Sequence, residues 1–477
     1  TVIVGFHKSN KSPFDPYKFS KTERETLELL SKNKNVILNV FAKPYALMDV
    51  DMTNISSILV SYQNNVTAQN KSAQIIFGAL PALGKLPVSI NDNYPVHTSI
   101  TTKTLDRLSY GSPSSLNFDL DKLNSIDSFI KDAIEKKMTP GAQILISRNG
   151  KVIFNKNYGY KTYDKNELID WDNLYDLASL TKILSSVPLL MNEFENKTID
   201  EESTLSDIIP DLNLVDKRNL LLKEMLAHQS GLYPWIPFYK ETLDSINHDP
   251  LSSFYSKKNN KHSISVNRNL FLKNSFLDTI NKRIINSELS QNKSYLYSDL
   301  PYYFFKYFLE KKYNTSLDKL LKKTILDSIG ANYTTYNPLE LFNNKKIVPS
   351  EIDNYFRKDT IVGYVHDMGA AMQGGIGGHA GLFSNSNDVA KIMQMYIQNG
   401  KYGSKTFFSK STIDYFNTCY YCDDGNRRGL GFDKPQIDDS SPTCGCVPMS
   451  SFGHSGFTGT YVWGDPENNI VYVFDTL

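Results

Sequence analysis

Asp176-Leu177-Ala178-Ser179-Leu180-Thr181-Lys182 (DLASLTK) is the stretch whose reading decides the fold. Read as the opening of a helix, it puts the Ser179 hydroxyl and the Lys182 amine on one face, because residues three apart on a helix are neighbours. Spacing alone does not make chemistry. The same Ser-x-x-Lys pattern stands at Ser31/Lys34, Ser128/Lys131, Ser290/Lys293 and Ser316/Lys319, in a chain rich in both residues. What distinguishes the fifth copy is its surroundings.

Immediately upstream, GAQILISRNGKVIFNKNYG reads as two strands joined by Asn149-Gly150, the strongest short hairpin signal. Before it, Leu120, Leu123, Ile126, Phe129, Ile130, Ala133 and Ile134 recur at helical spacing and predict one apolar face. Downstream comes a long stretch, read as mostly helical, to about residue 370. It is interrupted by the glycine-rich QGGIGGHAGLFS, followed by the helical SNDVAKIMQMYIQNG and a closing hairpin, TYVWGDPENNIVYVF. This order predicts an α+β domain over 119–477, its antiparallel sheet flanked by helices, assembled from both ends of the sequence and carrying a helical insertion.

Residues 1–92 alternate differently. TVIVGF, VILNVFA and SILVSYQ read as strands, and SKTERETLELLSKN and TAQNKSAQIIFGAL as helices, the first opening on a Ser20–Glu23 capping box. A small three-layer α/β domain with a mainly parallel sheet is expected there, so that the whole chain is multidomain, α/β plus α+β. The polar, Pro/Ser/Gly-rich 93–118 suits a linker. The chain opens on Thr1 within an apolar run, with no basic n-region before it, and is expected to begin inside a domain.

Composition narrows the partners. With 477 residues, 40% hydrophobic, 22% charged and a net charge of +1, the chain has a globular composition and no basic excess for nucleic acid. No apolar run nears the roughly 18 residues of a membrane span. The sequence carries no His-Glu-x-x-His and no Gly-x-x-x-x-Gly-Lys-[Ser/Thr], and Phe457 stands where a Gly-x-Ser-x-Gly elbow starting at Gly453 needs its last glycine. No cofactor or catalytic metal is expected. The four cysteines cluster as Cys419-x-x-Cys422 and Cys444-Gly445-Cys446 about a polar loop that needs a staple: two disulfides, favoured, or a four-thiolate zinc site, or free thiols.

A nucleophilic serine needs a base for its proton and donors for the oxyanion it creates. Two later stretches offer them: Tyr297-Ser298-Asp299, and Gly453-His454-Ser455-Gly456-Phe457 before the last hairpin. Ser-x-x-Lys, then Tyr-Ser-[Asn/Asp], then [Lys/His]-x-Gly is an ordered three-part pattern. Through it, and through EMLAHQSGL and GGHAGLFSNSNDVAK, residues 120–477 resemble serine hydrolases of the β-lactamase and penicillin-binding type, with their esterase and D-aminopeptidase relatives. The first ninety residues separately resemble the C-terminal α/β domain of glycoside hydrolase family 3, through SAQIIFGALPALGKLPVSI.

The first resemblance implies Ser179 as acyl-accepting nucleophile, Lys182 as its proton partner and Tyr297 as the group that deprotonates it and protonates the leaving group. It implies backbone N–H groups of Ser179 and Phe457 as oxyanion hole, and Asp299, His454, Ser455 and Gly456 as substrate-binding residues. Burial near other cations would let Lys182 lose its proton near neutral pH. His379-Ala380-Gly381 competes with His454, but only 454 leads into a hairpin; His379, His228 and His366 are read as structural. Two departures matter: Asp299 stands where many relatives have Asn, and His454, expected to titrate near pH 6.5, replaces a permanent lysine cation. The second weakens a β-lactam reading and favours esters or D-amino-acid peptides, a small-molecule or cell-wall substrate.

Such a fusion implies an envelope, periplasmic or secreted bacterial protein. In the resembling families a terminal helix follows the last strand and a glycosidase barrel, of β-N-acetylhexosaminidase type, precedes the α/β domain, so both ends are expected to be incomplete. No glycosidase activity is expected of these residues by themselves. The alternatives are a non-catalytic cell-wall-binding module and an accessory to a glycosidase.

Overall fold

The computed structural model describes the chain apart from residues 10, 13, 117, 437–441 and 477 and the side chain of residue 215. Residue 117 of the expected linker, 437–441 of the polar cysteine loop and the final residue of the closing strand run therefore lie outside the described residues. Two compact units emerge, Thr1–Tyr110 and Gly111–Leu477, so that 93–110, read as linker, clusters with the first.

The first unit contains β1 (Val2–His7), α1 (Lys21–Asn33), β2 (Val36–Phe41), β3 (Ser57–Val60) and α2 (Val66–Ile76). The strands pair in the order β1-β2-β3, both pairs parallel, with Val2 opposite Val36 and Ile37 opposite Ser57. The middle strand is the most continuously apolar, and its Val36, Leu38 and Val40 are buried with Phe6 and Leu27. α1 starts at the capping box: Glu23 N–H donates to Ser20 Oγ (3.2 Å) and Ser20 N–H to Glu23 Oε2 (2.7 Å).

The second unit builds its site from α3 (Leu120–Glu135), β4 (Gly141–Arg148), β5 (Lys151–Gly159), β6 (Tyr175–Asp176), α4 (Val187–Glu195), α5 (Leu300–Tyr313), β7 (Thr335–Tyr336), β8 (Leu382–Ser384), α6 (Ser386–Ile397), β9 (Phe452–Ser455), β10 (Tyr461–Asp465) and β11 (Ile470–Thr476). Five of its strands pair antiparallel in the order β9-β10-β11-β4-β5. The last strand meets the first, Ile470 opposite Arg148 and Thr476 opposite Ala142, which joins the two ends of the unit's sequence. Asn149 and Gly150 turn β4 into β5 with φ of 51° and 68°, the left-handed pair a tight hairpin requires.

Helices cover this sheet. α3 packs Leu123, Ile126, Ile130 and Ile134 against Ile144, Phe154, Tyr158 and Phe474. Leu120 and Phe129 stay exposed, so the predicted single apolar face is narrower than its spacing suggested. α6 buries Val389, Ile392, Met393 and Tyr396 while packing on β4, β10 and β11. α5 is apolar around most of its circumference, with eight buried residues from Leu300 to Leu309, and runs through the interior.

The expected helical insertion is mixed. Three antiparallel strands, Tyr255–Ser256, His262–Asn267 and Leu270–Lys273, lie within it. HSISVN alternates with the period of a strand, and the following Arg268-Asn269 turn closes a hairpin, a signal that the abundance of Leu and Lys around it obscures.

Candidate active site

Ser179, expected at the start of a helix, lies in the turn between β6 and the helical run 180–195, one residue ahead of that run. That run opens with a π-helical turn, Lys182–Ser186. Ala178 has φ of +44°, a left-handed conformation that costs a residue with a Cβ about 1–2 kcal/mol. Its neighbours hold it there. Ala178 N–H donates to Asp176 Oδ1 (2.9 Å), and His366 N–H to Asp176 Oδ2 (2.6 Å). Leu177 N–H donates to Leu382 O (2.9 Å) and Leu382 N–H to Thr181 Oγ1 (3.1 Å), tying the turn to β8. From the segment between β9 and β10, Thr458 Oγ1 donates to Asp176 O (2.6 Å) and Thr460 Oγ1 to Leu177 O (3.2 Å).

Two donors converge on the Ser179 hydroxyl oxygen: Lys182 Nζ at 2.9 Å and Tyr297 OH at 3.0 Å. Lys182 is completely buried, 2.7 Å from Asp299 Oδ1, and also donates to His379 O at 3.3 Å. Its ammonium lies 5.0 Å from the Tyr297 ring centroid and 5.3 Å from that of Tyr302. Burial by itself pushes the ammonium's pKa down. The Asp299 carboxylate, with Tyr297 and Tyr302, outweighs it and holds the pKa above the ordinary lysine range. The expectation of a lysine neutral near pH 7 is therefore overturned. The charge nearest Lys182 is the Asp299 carboxylate rather than another cation.

Asp299 thus acts first as counter-ion to Lys182. The irregular segment leading into α5 is pinned by Ser298 N–H donating to His228 Nδ1 (3.1 Å), Ser298 Oγ to Tyr233 O (2.5 Å) and Asp299 N–H to Pro234 O (2.9 Å). The Tyr297 ring has His228 at 4.4 Å, His454 at 6.0 Å and the Arg428 guanidinium carbon at 5.2 Å.

His454, on β9, is 2% exposed, and its Nδ1 faces Ser455 O at 2.7 Å. Burial, then the charges of Arg428 and Lys182, push its pKa well below the ordinary histidine value. It is a neutral imidazole at pH 7, not the group titrating near 6.5 that its sequence position suggested. Ser455 is exposed where β9 ends. Gly456 passes so close to the Ser179 turn that a Cβ there would lie 2.7 Å from Leu177 O. Phe457 follows with its ring in solvent, 5.1 Å from that of His366.

The competing histidine is placed differently. His379 Nε2 is 2.8 Å from Asp367 Oδ1 and its ring stacks on Tyr303 at 4.7 Å, so only its backbone carbonyl reaches Lys182. His366 Nε2 pairs with Glu351 at 2.9 Å. The cysteines are joined as Cys419–Cys422 and Cys444–Cys446, which replaces the zinc and free-thiol alternatives with disulfides. Among the described residues no three His, Cys, Asp or Glu side chains are grouped to hold a metal ion, and no helix is long and apolar enough to cross a membrane.

Sequence reasoning missed Asp176, Arg428 and the contact of His228 with Tyr297. Asp176 had a signal: an aspartate whose carboxylate caps the N–H two residues on is a standard turn device. Arg428 had none, since nothing in NRRGLGF points to residues more than a hundred positions away.

Comparison with known proteins adds a family to this geometry. The family model described as Beta-lactamase matches residues 126–475. A putative D-alanyl-D-alanine carboxypeptidase of Escherichia coli (strain K12) is 27% identical over 403 residues, covering 79% of this chain and 87% of that protein. Among solved structures, the octameric penicillin-binding protein homologue from Pyrococcus abyssi matches with a TM-score of 0.55 at 20% identity, over 75% of this chain and 73% of that one. A class C beta-lactamase matches with 0.53 at 15% identity, over 76% and 92%. At those identities the two structures speak for the fold.

Proposed function

This chain belongs to the beta-lactamase family of serine hydrolases, and from that premise we propose that it cleaves an ester or amide through an acyl-enzyme on Ser179. The observation that carries the reading is the convergence of Lys182 Nζ and Tyr297 OH on one hydroxyl oxygen in a stitched, strained turn. Of the two groups touching Oγ, Lys182 already holds its full complement of protons. Tyr297 is the one left to act: once its own phenolic proton has passed to solvent, the phenolate takes the serine proton as Oγ attacks the carbonyl carbon, and the phenol so formed passes it to the departing oxygen or nitrogen. The Lys182 charge, kept in place by Asp299, steadies the oxygen as it forms the new bond. Backbone N–H groups of Ser179 and Phe457 receive the carbonyl oxygen as it becomes an anion. Water then repeats the sequence on the acyl-enzyme, with Tyr297 taking its proton and Ser179 leaving.

For substrate we propose peptides ending in D-amino acids, with simple esters as surrogates. The similarity to a D-alanyl-D-alanine carboxypeptidase supports this, as does the neutral His454 in place of a lysine cation. We propose an envelope setting on the same ground. For the first unit the narrower reading is an accessory α/β unit akin to the glycoside hydrolase family 3 C-terminal domain; its three-stranded parallel sheet supports that, and no glycosidase activity is proposed for it.

The test is turnover of p-nitrophenyl acetate with mass-spectrometric capture of the acyl group. Ser179→Ala should lose both turnover and label. Equal turnover in that variant sinks the proposal, and an unlabelled wild-type protein leaves a binding module in its place.

A further inference from the structure

We propose that Arg357 is a positioning residue for acylation, orienting one peptide group that props the nucleophile turn, an inference that rests on the acyl-enzyme reading above. Arg357 and Asp353 form an ion pair with both side chains fully buried, Nε lying 2.8 Å from Asp353 Oδ2. They close the turn between two short antiparallel strands, Glu351–Asp353 and Asp359–Ile361. Asp353 also accepts the backbone N–H groups of Tyr355 (3.1 Å), Phe356 (2.8 Å) and Arg357 (3.1 Å), so one carboxylate fixes both the arginine's backbone and its head. Burying two charges is expensive, and apolar side chains of like volume often serve a fold as well. What this pair adds over them is direction.

The direction comes from the guanidinium fork. Nη1 donates to Val365 O (2.6 Å) and Nη2 to His366 O (2.9 Å). The Val365 carbonyl and the His366 N–H belong to the same planar peptide group, and that N–H donates to Asp176 Oδ2 at 2.6 Å. Asp176 Oδ1 takes the N–H of Ala178, the left-handed residue just before Ser179. An unbroken line of hydrogen bonds thus runs from Asp353 through Arg357, one peptide plane and Asp176 to the backbone that aims the nucleophile. Each member polarises the next, and a tilt of the plane at one end is felt at the other.

The same segment meets the rest of the site. The His366 ring lies 5.1 Å from that of Phe457, whose N–H is the second proposed oxyanion donor. Asp367 Oδ1 is 2.8 Å from His379 Nε2, and the His379 carbonyl accepts from Lys182 at 3.3 Å. Nucleophile turn, oxyanion residue and lysine therefore share one anchored stretch of chain, Val365 to Asp367, and the arginine's fork is what grips it. Arg357 reaches Ser179 only through these intermediaries. Its loss should slow acylation without weakening substrate binding, since a misplacement of about 1 Å far from the chemistry can cost on the order of 100-fold.

Full-length protein is acylated with p-nitrophenyl acetate in single-turnover experiments, which give the ester's binding constant and the acylation rate separately, and urea unfolding reads stability. Arg357→Lys keeps a charge beside Asp353, but its one nitrogen cannot serve that carboxylate and both carbonyls. It should bind the ester as wild type does and acylate Ser179 on the order of 10- to 100-fold more slowly. Asp176→Asn, with one acceptor oxygen for two N–H donors, should be slowed likewise. The double variant should be no slower than the slower single one, because both changes act through one peptide group. Rate losses that multiply would make Arg357 a prop of its own hairpin and overturn the proposal, as would wild-type acylation by Arg357→Lys; either leaves the acyl-enzyme reading standing. Asp353→Asn combined with Arg357→Met removes both buried charges and keeps the volume, so it decides the matter if Arg357→Lys does not fold: slowed acylation upholds the proposal and an unchanged rate overturns it. A wild-type protein never acylated at Ser179 overturns both readings.

Discussion

Replacing Asp299 by Asn tests the charge state on which the site depends. The carboxylate lies 2.7 Å from a fully buried ammonium and is itself only 18% exposed. At that separation, with an effective dielectric near 20, the gross attraction is roughly 6 kcal/mol. Breaking a buried pair by removing one partner costs about 3–5 kcal/mol net, and the lower end applies here because the Asn oxygen still accepts from Lys182. In the wild type the lysine pKa is raised above its unfolded value of about 10.4. Its stabilisation is then complete below that pH and is lost only as pH rises through the higher folded value, so this pair adds no pH dependence between 6 and 9.

In Asp299→Asn burial becomes the dominant influence and the folded pKa falls below the unfolded one. The unfolded chain then binds the extra proton, and stability falls as pH falls, by up to about 1.4 kcal/mol per pH unit across the window. Urea unfolding at pH 7 and pH 9.5 should show the variant about 3 kcal/mol less stable than wild type at the first and closer to it at the second. No loss at pH 7, or the same loss at both, would refute the claim that Asp299 sets the charge of Lys182.

Asp475 is a buried carboxyl on β11 whose two oxygens have no hydrogen-bond partner, and burial pushes its pKa well above the ordinary range. The folded state therefore holds a proton that the unfolded state releases above about pH 4, and stability drops with rising pH from there. Asp475→Asn should remove that slope, so that its unfolding free energy gains on wild type from pH 4 upward; parallel curves would disprove it. The Cys419–Cys422 bridge joins residues three positions apart, and a loop that short is worth about 2 kcal/mol. Replacing both cysteines by Ser should lower the unfolding free energy by no more than that, whereas a loss beyond about 4 kcal/mol would mean that the bridge also holds the 426–433 loop.

The parts of this protein legible in its sequence are those carried by local periodicity. The Asn149-Gly150 hairpin, the Ser20–Glu23 box and the α6 pattern each fix a conformation through residues a few positions apart, and each is where its pattern put it. The two donors on Ser179 were legible for another reason: an ordered set of short motifs named residues whose separation in sequence gives no hint of contact. What stayed hidden is charge state. From the sequence, Lys182 is assigned neighbouring cations and His454 the unperturbed value of a free imidazole, but a protonation state depends on depth and on the sign of the first charge met. For Lys182 that charge is Asp299, and for His454 it is Arg428, which a loop of no regular pattern delivers.

The strain at Ala178 gives the site a mechanical consequence. A left-handed alanine ahead of the nucleophile relaxes unless its neighbours hold it, and the holding bonds come from three separate places: the 366 segment, β8, and the segment between β9 and β10. The last of these also carries Phe457. Thr458, its immediate neighbour, donates to Asp176 O, and Gly456, on its other side, is pressed against Leu177 O with no room for a Cβ. The proposed oxyanion donor and the nucleophile are thus joined through two contacts, on either side of Phe457, to the two residues that lead into the Ala178-Ser179 turn. These contacts couple a shift of the β9–β10 segment to the Ser179 turn, so Ser179 and the Phe457 N–H should move together. Loosening the sheet edge should therefore cost orientation toward Tyr297, which α5 and the His228 turn hold independently, before it costs the oxyanion hole.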